Sequence, residues 1–226
     1  MKIQAIMFMR NELKGAQFTL ENFRKHNPDI PVRIINGGVD CSEYVLHIDG
    51  VEIVNTTNLW HFNAASLAMG GFTPEYFDYL FEYGLNQNYT HTLYLEPDVL
   101  TNRAITIPPK YDISGPLNMC HQNDYALYDA FGINEYRVHT GCGGTIYTYN
   151  YFKTVKEKGY DIYQRLYDKY SKHYYQDIIA TLVARLYGMT FGHWEEVSNI
   201  PAHIIGNQIV PVNMNATLVH KYKINE

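Results

Sequence analysis

The sequence predicts a single-domain α/β protein in which a mixed, mostly parallel sheet is flanked by helices. Three observations lead there. An apolar run, an amphipathic stretch and a second apolar run follow one another within about forty residues at the start of the chain, the pattern of a parallel strand-helix-strand crossover. Strand-like and helix-like periods then keep alternating to the middle of the chain. Finally, 226 residues that are 46% hydrophobic and 15% aromatic suffice for one sizeable core, and no repeat, low-complexity linker or composition break divides residues 1–226.

The elements can be justified in order. Ile3 to Met9 is a mostly apolar run, as a strand buried on both faces requires. Leu13, Ala16, Leu20 and Phe23 recur at spacings of three and four, which marks an amphipathic helix, and Asn27-Pro28 stops it. Val32 to Ile35 is the second strand, closed by Asn36-Gly37-Gly38, and Val51 to Val54 is a third. A polar loop and an aromatic pair, Trp60 and Phe62, precede Thr73-Pro74-Glu75, which opens a helix with Thr at the N-cap and Pro in its first position. Thr92 to Leu95 is a strand that runs into Glu96-Pro97-Asp98. In the second half, Asp112 to Gly115 and Thr145 to Tyr149 read as strands. Tyr160 to Tyr174 reads as a helix with tyrosines every three or four residues, packed on the body of the protein. A further helix carries Ile178, Ile179, Leu182, Val183 and Leu186 inward and ends at Gly188. The last forty or so residues read as short strands and loops.

Composition excludes several classes of function. The net charge is -5, and the pI is about 6.0. A protein that coats nucleic-acid phosphates needs a surplus of Lys and Arg, so nucleic acid is not an expected partner. The three cysteines, Cys41, Cys120 and Cys142, are far apart and form no CxxC, which argues against a structural zinc site and a disulfide framework. No stretch approaches the roughly 20 apolar residues of a membrane helix. The N-terminal apolar run is too short for a signal-peptide core. The expectation is a cytoplasmic protein with no integral membrane segment. No GxGxxG follows the first strand, which disfavours a dinucleotide fold, and no GxxxxGK[ST] occurs, which excludes a P-loop.

Glu96-Pro97-Asp98 carries the most chemistry. Ligands of open α/β sheets bind at the carboxyl ends of strands, where this triplet sits. Residues two apart on an extended chain share a face, so Glu96 and Asp98 point into one crevice. Two carboxylates so placed suit a hard divalent ion such as Mn2+ or Mg2+. In His139-Thr140-Gly141-Cys142-Gly143-Gly144-Thr145 three glycines in four residues let backbone pack closely on a ligand, although a plain hairpin loop would use them as well. Asn36-Gly37-Gly38 offers the same closeness at the end of the second strand. Asp177 sits at the start of a helix, where it complements the helix dipole and is also available to a ligand.

This layout resembles the GT-A fold of nucleotide-sugar-dependent glycosyltransferases, in which an Asp-x-Asp motif follows a buried strand near the middle of the domain; here YLEPDVL stands in that place. The resemblance implies a nucleotide-binding half over 1–100 and an acceptor half over 101–226. It gives the metal to Asp98 with help from Glu96, which departs from the usual Asp. It also brings back a late histidine, His220, to the metal and a following lysine, Lys223, to the diphosphate, although the Gly, Pro and Trp of the HxxGxxKPW pattern are missing. Phe8, Met9 and Arg10, with Asn36 and Gly37, would hold the nucleotide. Gly143, Gly144 and Thr145 would border donor sugar and acceptor, and Asp177 would act beside the acceptor hydroxyl. The implied partners are a nucleotide-sugar donor, a UDP-sugar first among them, and a glycan or glycoprotein acceptor. Small size resembles capsular or virus-encoded members; if virus-encoded, the compartment would be the host cytoplasm. A sugar-phosphate nucleotidyltransferase and a non-catalytic carbohydrate-binding protein share enough of the pattern to stay open.

Overall fold

The computed structural model describes residues 1–9, 11–56, 73–120, 122–134, 138–170, 174–199, 204–205, 208–209 and 213–220. Trp60 and Phe62 lie outside them. The strands are β1 Ile3–Met9, β2 Val32–Asn36, β3 Val51–Asn55, β4 His91–Leu95, β5 Leu100–Thr101, β6 Ile113–Gly115, β7 Asn118–Met119, β8 Val138–His139, β9 Ile146–Thr148, β10 Phe191–His193, β11 Val197–Asn199, β12 Ile204–Ile205, β13 Gln208–Ile209 and β14 Leu218–His220. The helices are α1 Leu13–His26, α2 Ser42–Val45, α3 Pro74–Gly84, α4 Tyr125–Ala130, α5 Tyr149–Gly159, α6 Ile162–Tyr170 and α7 Gln176–Leu186.

Seven strands form the main sheet in the order β10-β6-β9-β4-β1-β2-β3. The pairs β1/β2, β1/β4, β2/β3 and β10/β6 are parallel, and β9 runs antiparallel to both β4 and β6. The sheet is therefore mixed and mostly parallel, as the sequence predicts. All seven residues of β1 are buried because the strand is covered on both faces. Ile3, Ala5, Met7 and Met9 face one core with Ala16, Leu20 and Phe23 of α1. Ile6 and Phe8 face the other with α3, α5, α6 and α7. The alternation follows from the two-residue period of a strand.

The second half differs from the sequence reading in two elements. The strand predicted to reach Tyr149 ends at Thr148, and a helix begins there. Thr148 caps it, its hydroxyl accepting from the Tyr151 N–H at 3.1 Å. Tyr and Thr carry strand propensity, which hid the helix. What decides the segment is burial of Tyr151, Phe152 and Val155 on one helical face. Phe152 packs where Gly84 has no side chain, so that an added methyl would collide with its ring. The tyrosine-rich helix is correspondingly shorter. It ends at Tyr170, and Tyr174 lies beyond it. Its tyrosines are packing groups: Tyr163 stacks on Phe77 with ring centres 3.8 Å apart, and its hydroxyl bonds that of Tyr151 at 2.6 Å. Thr73 stands at the N-cap of α3 with Pro74 in the first turn, yet its side chain is buried and makes no capping bond.

A second, three-stranded sheet, β11-β14-β5, joins two late strands to β5 from the middle of the chain. It is pinned by Glu196, which is fully buried. Its carboxylate accepts from the N–H of Thr106 at 2.7 Å, the N–H of Ile107 at 2.6 Å and the hydroxyls of Thr106 and Thr217. Trp194, also fully buried, donates its indole N–H to the Ile107 carbonyl at 3.0 Å. Burial opposes the Glu196 charge, but the hydrogen bonds from Thr217, Ile107 and Thr106 outweigh it and hold the carboxyl below the ordinary glutamate range. No helix among the described residues is long and apolar enough to cross a membrane.

These contacts make a stability prediction. Replacing Glu196 by Gln should cost about 2 kcal/mol in denaturant unfolding, the scale of hydrogen bonds to a charged group. Because the folded-state value is depressed, the carboxylate's contribution is complete above the ordinary range and disappears as pH falls through the lowered value. The wild type should therefore lose more stability on acidification than Glu196→Gln. Parallel loss in both proteins would show that the charge is not used.

Candidate active site at the carboxyl edge of the sheet

The parallel strands deliver their last residues to one edge. Met9 pairs with Asn36, and Asn36 pairs with Asn55, while Met7 pairs with Leu95, so that β4 runs out into Glu96 beside the end of β1. Pro97 turns the chain there. Val99 N–H bonds the Glu96 carbonyl at 3.2 Å, and Gly15 of α1 lets the helix close on the turn, since an added methyl would lie 2.7 Å from the Pro97 carbonyl oxygen. The chain then enters β5, which β14 joins antiparallel with Leu218 opposite Thr101 and Val219 opposite Leu100. One more step along β14 places His220 at the turn.

Glu96, Asp98 and His220 thus converge, each offering one ligand atom within 4.8 Å of the others. His220 Nε2 lies 2.5 Å from Glu96 Oε2 and 3.6 Å from Asp98 Oδ1. His220 is buried, Glu96 is partly buried, and Asp98 is the most open at 44%. Burial disfavours a charged His220. The adjoining Glu96 carboxylate, the Cys142 thiol and the hydrogen bonds to both outweigh burial and hold the imidazole well above the ordinary histidine range. Burial likewise opposes the Glu96 charge, but the His220 cation and the hydrogen bonds from His220 and Tyr94 keep that carboxyl below its usual range. Two carboxylates and one imidazole can hold a divalent transition ion; the carboxylates suit Mn2+ or Mg2+, and the imidazole favours Mn2+ over Mg2+. In the ion-free protein the adjoining carboxylate favours the protonated form of His220.

The glycine segment abuts this cluster. Gly144 N–H bonds the Tyr94 carbonyl at 2.8 Å and Tyr94 N–H bonds the Thr145 carbonyl at 2.7 Å, which ties the segment to the end of β4. A methyl on Gly143 would stand 2.7 Å from His220 Cδ2, 2.9 Å from Val99 Cγ2 and 3.0 Å from Glu96 Cβ. Gly144 has φ 88, a conformation suited to glycine. Thr145 is fully buried, with its hydroxyl 3.4 Å from that of Thr140 and its N–H and carbonyl bonded to Cys142 and Tyr94.

Asp177 stands in the first turn of α7 and is almost buried, at 15% exposure. Oδ2 lies 3.1 Å from His139 Nδ1, and Oδ1 accepts from the Ile178 N–H at 2.8 Å. Burial opposes its charge, but His139 and the backbone N–H groups hold the carboxyl below the usual aspartate range. Asp177 and Glu96 flank the same glycine segment: a methyl on Gly141 would lie 2.8 Å from Asp177 Cβ, and one on Gly143 would lie 3.0 Å from Glu96 Cβ.

On the nucleotide side, Asn36 is buried and organises the turn after β2. Its amide donates to the Val39 carbonyl at 3.1 Å and to Asn55 Oδ1 at 2.9 Å, and its oxygen accepts from Gly38 N–H at 3.1 Å. Gly37 N–H bonds the Met9 carbonyl at 3.1 Å. Phe8 turns away from that row and stacks on Tyr76 with centres 4.2 Å apart. Met9, Asn36 and Gly37 are therefore together at the edge, whereas the Phe8 ring lies in the core behind it. Arg10 and Lys223 lie outside the described residues. Sequence reasoning gave no role to His139, Tyr94 or Asn118. The last donates its amide to Cys142 Sγ at 3.3 Å. His139 and Asn118 reach Asp177 and Cys142 only through the fold, whereas Tyr94 stands two residues before the Glu96 it serves.

No family profile and no curated protein matches the sequence. Solved structures do match in fold. The galactosyltransferase LgtC, in complex with donor and acceptor sugar analogs, aligns with 97% of this chain and 86% of its own at a TM-score of 0.55 and 12% identity. Mouse xyloside xylosyltransferase 1 aligns with 97% of each chain at a TM-score of 0.53 and 12% identity. The bifunctional glycosyltransferase WbbM aligns with 100% of this chain and 46% of its own at a TM-score of 0.60 and 10% identity. At such identities the likeness is one of fold, and on it the chain is a GT-A-type α/β protein.

Proposed function

We propose that the protein is a metal-dependent glycosyltransferase that moves a sugar from a nucleoside-diphosphate sugar, a UDP-sugar first among them, to a hydroxyl of a glycan or glycoprotein. The observation that carries this reading is the meeting of Glu96, Asp98 and His220 at the carboxyl edge of a GT-A sheet. Asp98, the most exposed of the three, faces the incoming ligand, and Glu96 and His220 form the buried back of the site. When bound, Mn2+ or Mg2+ would neutralise the diphosphate leaving group as a Lewis acid. Asn36 and Gly37, with the backbone of Met9, would line the nucleoside, and Arg10 and Lys223 are assigned to the phosphates from their sequence positions. Residues 1–100 thus serve the nucleotide, and 101–226 serve the acceptor while returning His220 to the metal. Gly143 and Gly144 leave room for the sugar beside the acids. Asp177, held ionised across the same edge, sits on the acceptor side, where a fixed negative charge favours positive charge developing on the reacting sugar or takes up the proton of the acceptor hydroxyl.

The metal reading sets a pH dependence with a definite sign. Imidazole ligates only when neutral, and His220 is raised in the ion-free protein, so ion binding must expel its proton. Mn2+ affinity should rise with pH, by up to about tenfold per unit, until the ion-free histidine has titrated. Calorimetry in buffers of different ionisation enthalpy should register proton release; binding without it would remove His220 from the ligand set. Thermal stabilisation by UDP-sugars should require Mn2+ and vanish with a chelator.

Asp98→Ala should abolish UDP release with little change in melting temperature, a larger loss than the roughly 10–100-fold of a residue that merely supports a ligand. Pyrophosphate formation from a nucleoside triphosphate and a sugar phosphate would instead identify a nucleotidyltransferase. Gly143→Ala should cut Mn2+ affinity at least about tenfold, because the methyl displaces His220 or Glu96. Unchanged affinity would separate the glycine from the metal site.

A further inference from the structure

One buried ionisable group near the edge has no part in the scheme above. His139 is the last residue of β8, at 9% exposure, and it approaches no metal ligand in the described contacts. Its Nδ1 lies 3.1 Å from Asp177 Oδ2. The two residues come from separate elements that are locked in register. Thr140 N–H donates to Thr181 Oγ at 3.0 Å, and the same hydroxyl donates to the Thr140 carbonyl at 2.7 Å. Gly141, at φ 150, lets the chain press on the helix start, since a methyl there would lie 2.7 Å from Asp177 Cα. On the other side β8 pairs with β7, with His139 opposite Asn118. The backbone thus fixes where His139 stands relative to the first turn of α7.

That fixation matters for the carboxylate. Oδ1 is engaged by the Ile178 N–H, and without a second tether the group can turn about its Cβ–Cγ bond. With Oδ2 beside His139, both oxygens have a neighbour fixed by the backbone, and the carboxylate is held against that rotation. We propose that His139 is a positioning residue that orients Asp177 toward the acceptor side of the transferred sugar. The inference rests on the reading of Asp177 given under Proposed function. It adds a pair of groups, imidazole and carboxylate, that acts as a unit, distinct from the Glu96–His220 pair at the metal.

The test measures UDP release from UDP-glucose and UDP-galactose with Mn2+ and water as acceptor, alongside UDP affinity and melting temperature. His139→Ala should lower kcat by about 10–100-fold, as loss of a supporting partner does, with UDP affinity within about twofold of wild type. An Asn side chain places its amide nitrogen where Nδ1 stands, and a Gln side chain reaches past it to the place of Nε2. His139→Asn should therefore recover most of the rate and His139→Gln should not, a contrast that holds even if the alanine variant does not fold. Combined with Asp177→Asn, loss of His139 should add less than about threefold, because partners in one unit are not additive. Equal rates for the Asn and Gln variants, a full additional loss in the double variant, or a fall in UDP affinity matching the fall in kcat would each overturn the positioning role while leaving the glycosyltransferase reading standing. Wild-type silence on both donors, with no UDP binding, would defeat the functional reading and this inference with it.

Discussion

The site depends on one strand register. Leu218 and Val219 lie opposite Thr101 and Leu100, so the short β14 delivers His220 to the turn that carries Glu96 and Asp98. A slip of one residue would turn His220 to the opposite face of the strand. Glu196 and Trp194 anchor the chain that leads into this small sheet, and the Glu196 carbonyl accepts from Leu218 N–H at 2.8 Å. A buried carboxylate outside the ligand cluster therefore helps set the geometry of Glu96, Asp98 and His220.

The edge concentrates negative charge, and the fold balances it with imidazoles. Glu96 has His220, and Asp177 has His139. Each pair is mostly shielded from water, where removing one partner would leave a buried charge at considerable cost. Asp98 is the exception in exposure and is the acid most available to a ligand. The glycines complete the arrangement by absence of bulk: Gly15 under the Pro97 turn, Gly143 against His220 and Gly141 against Asp177. Each is a place where backbone stands closer than any side chain would allow.

Much of the first half was legible in the sequence because its elements are local. The apolar run of β1, the three-and-four spacing of α1 and the Asn-Gly-Gly stop after β2 each lie within a few residues of chain. The helix at Tyr149–Gly159 was not legible, since its tyrosines and threonine favour a strand and only packing against Gly84 and its surroundings makes it helical. Phe8 shows the same limit at the site. Its position at the strand end suggested a nucleotide contact, but strand alternation and Tyr76 draw the ring into the core.

The sequence by itself determined the α/β class and the placing of Glu96 and Asp98 at a strand end, because periodicity and a two-residue spacing are properties of the local backbone. It also supplied His220 as a candidate through resemblance, without the geometry. Only the tertiary structure decided that His220 stands 2.5 Å from Glu96 and that His139 stands 3.1 Å from Asp177. Those distances arise from sheet register and helix packing between segments far apart in the chain, and such pairings leave no spacing for a sequence to display.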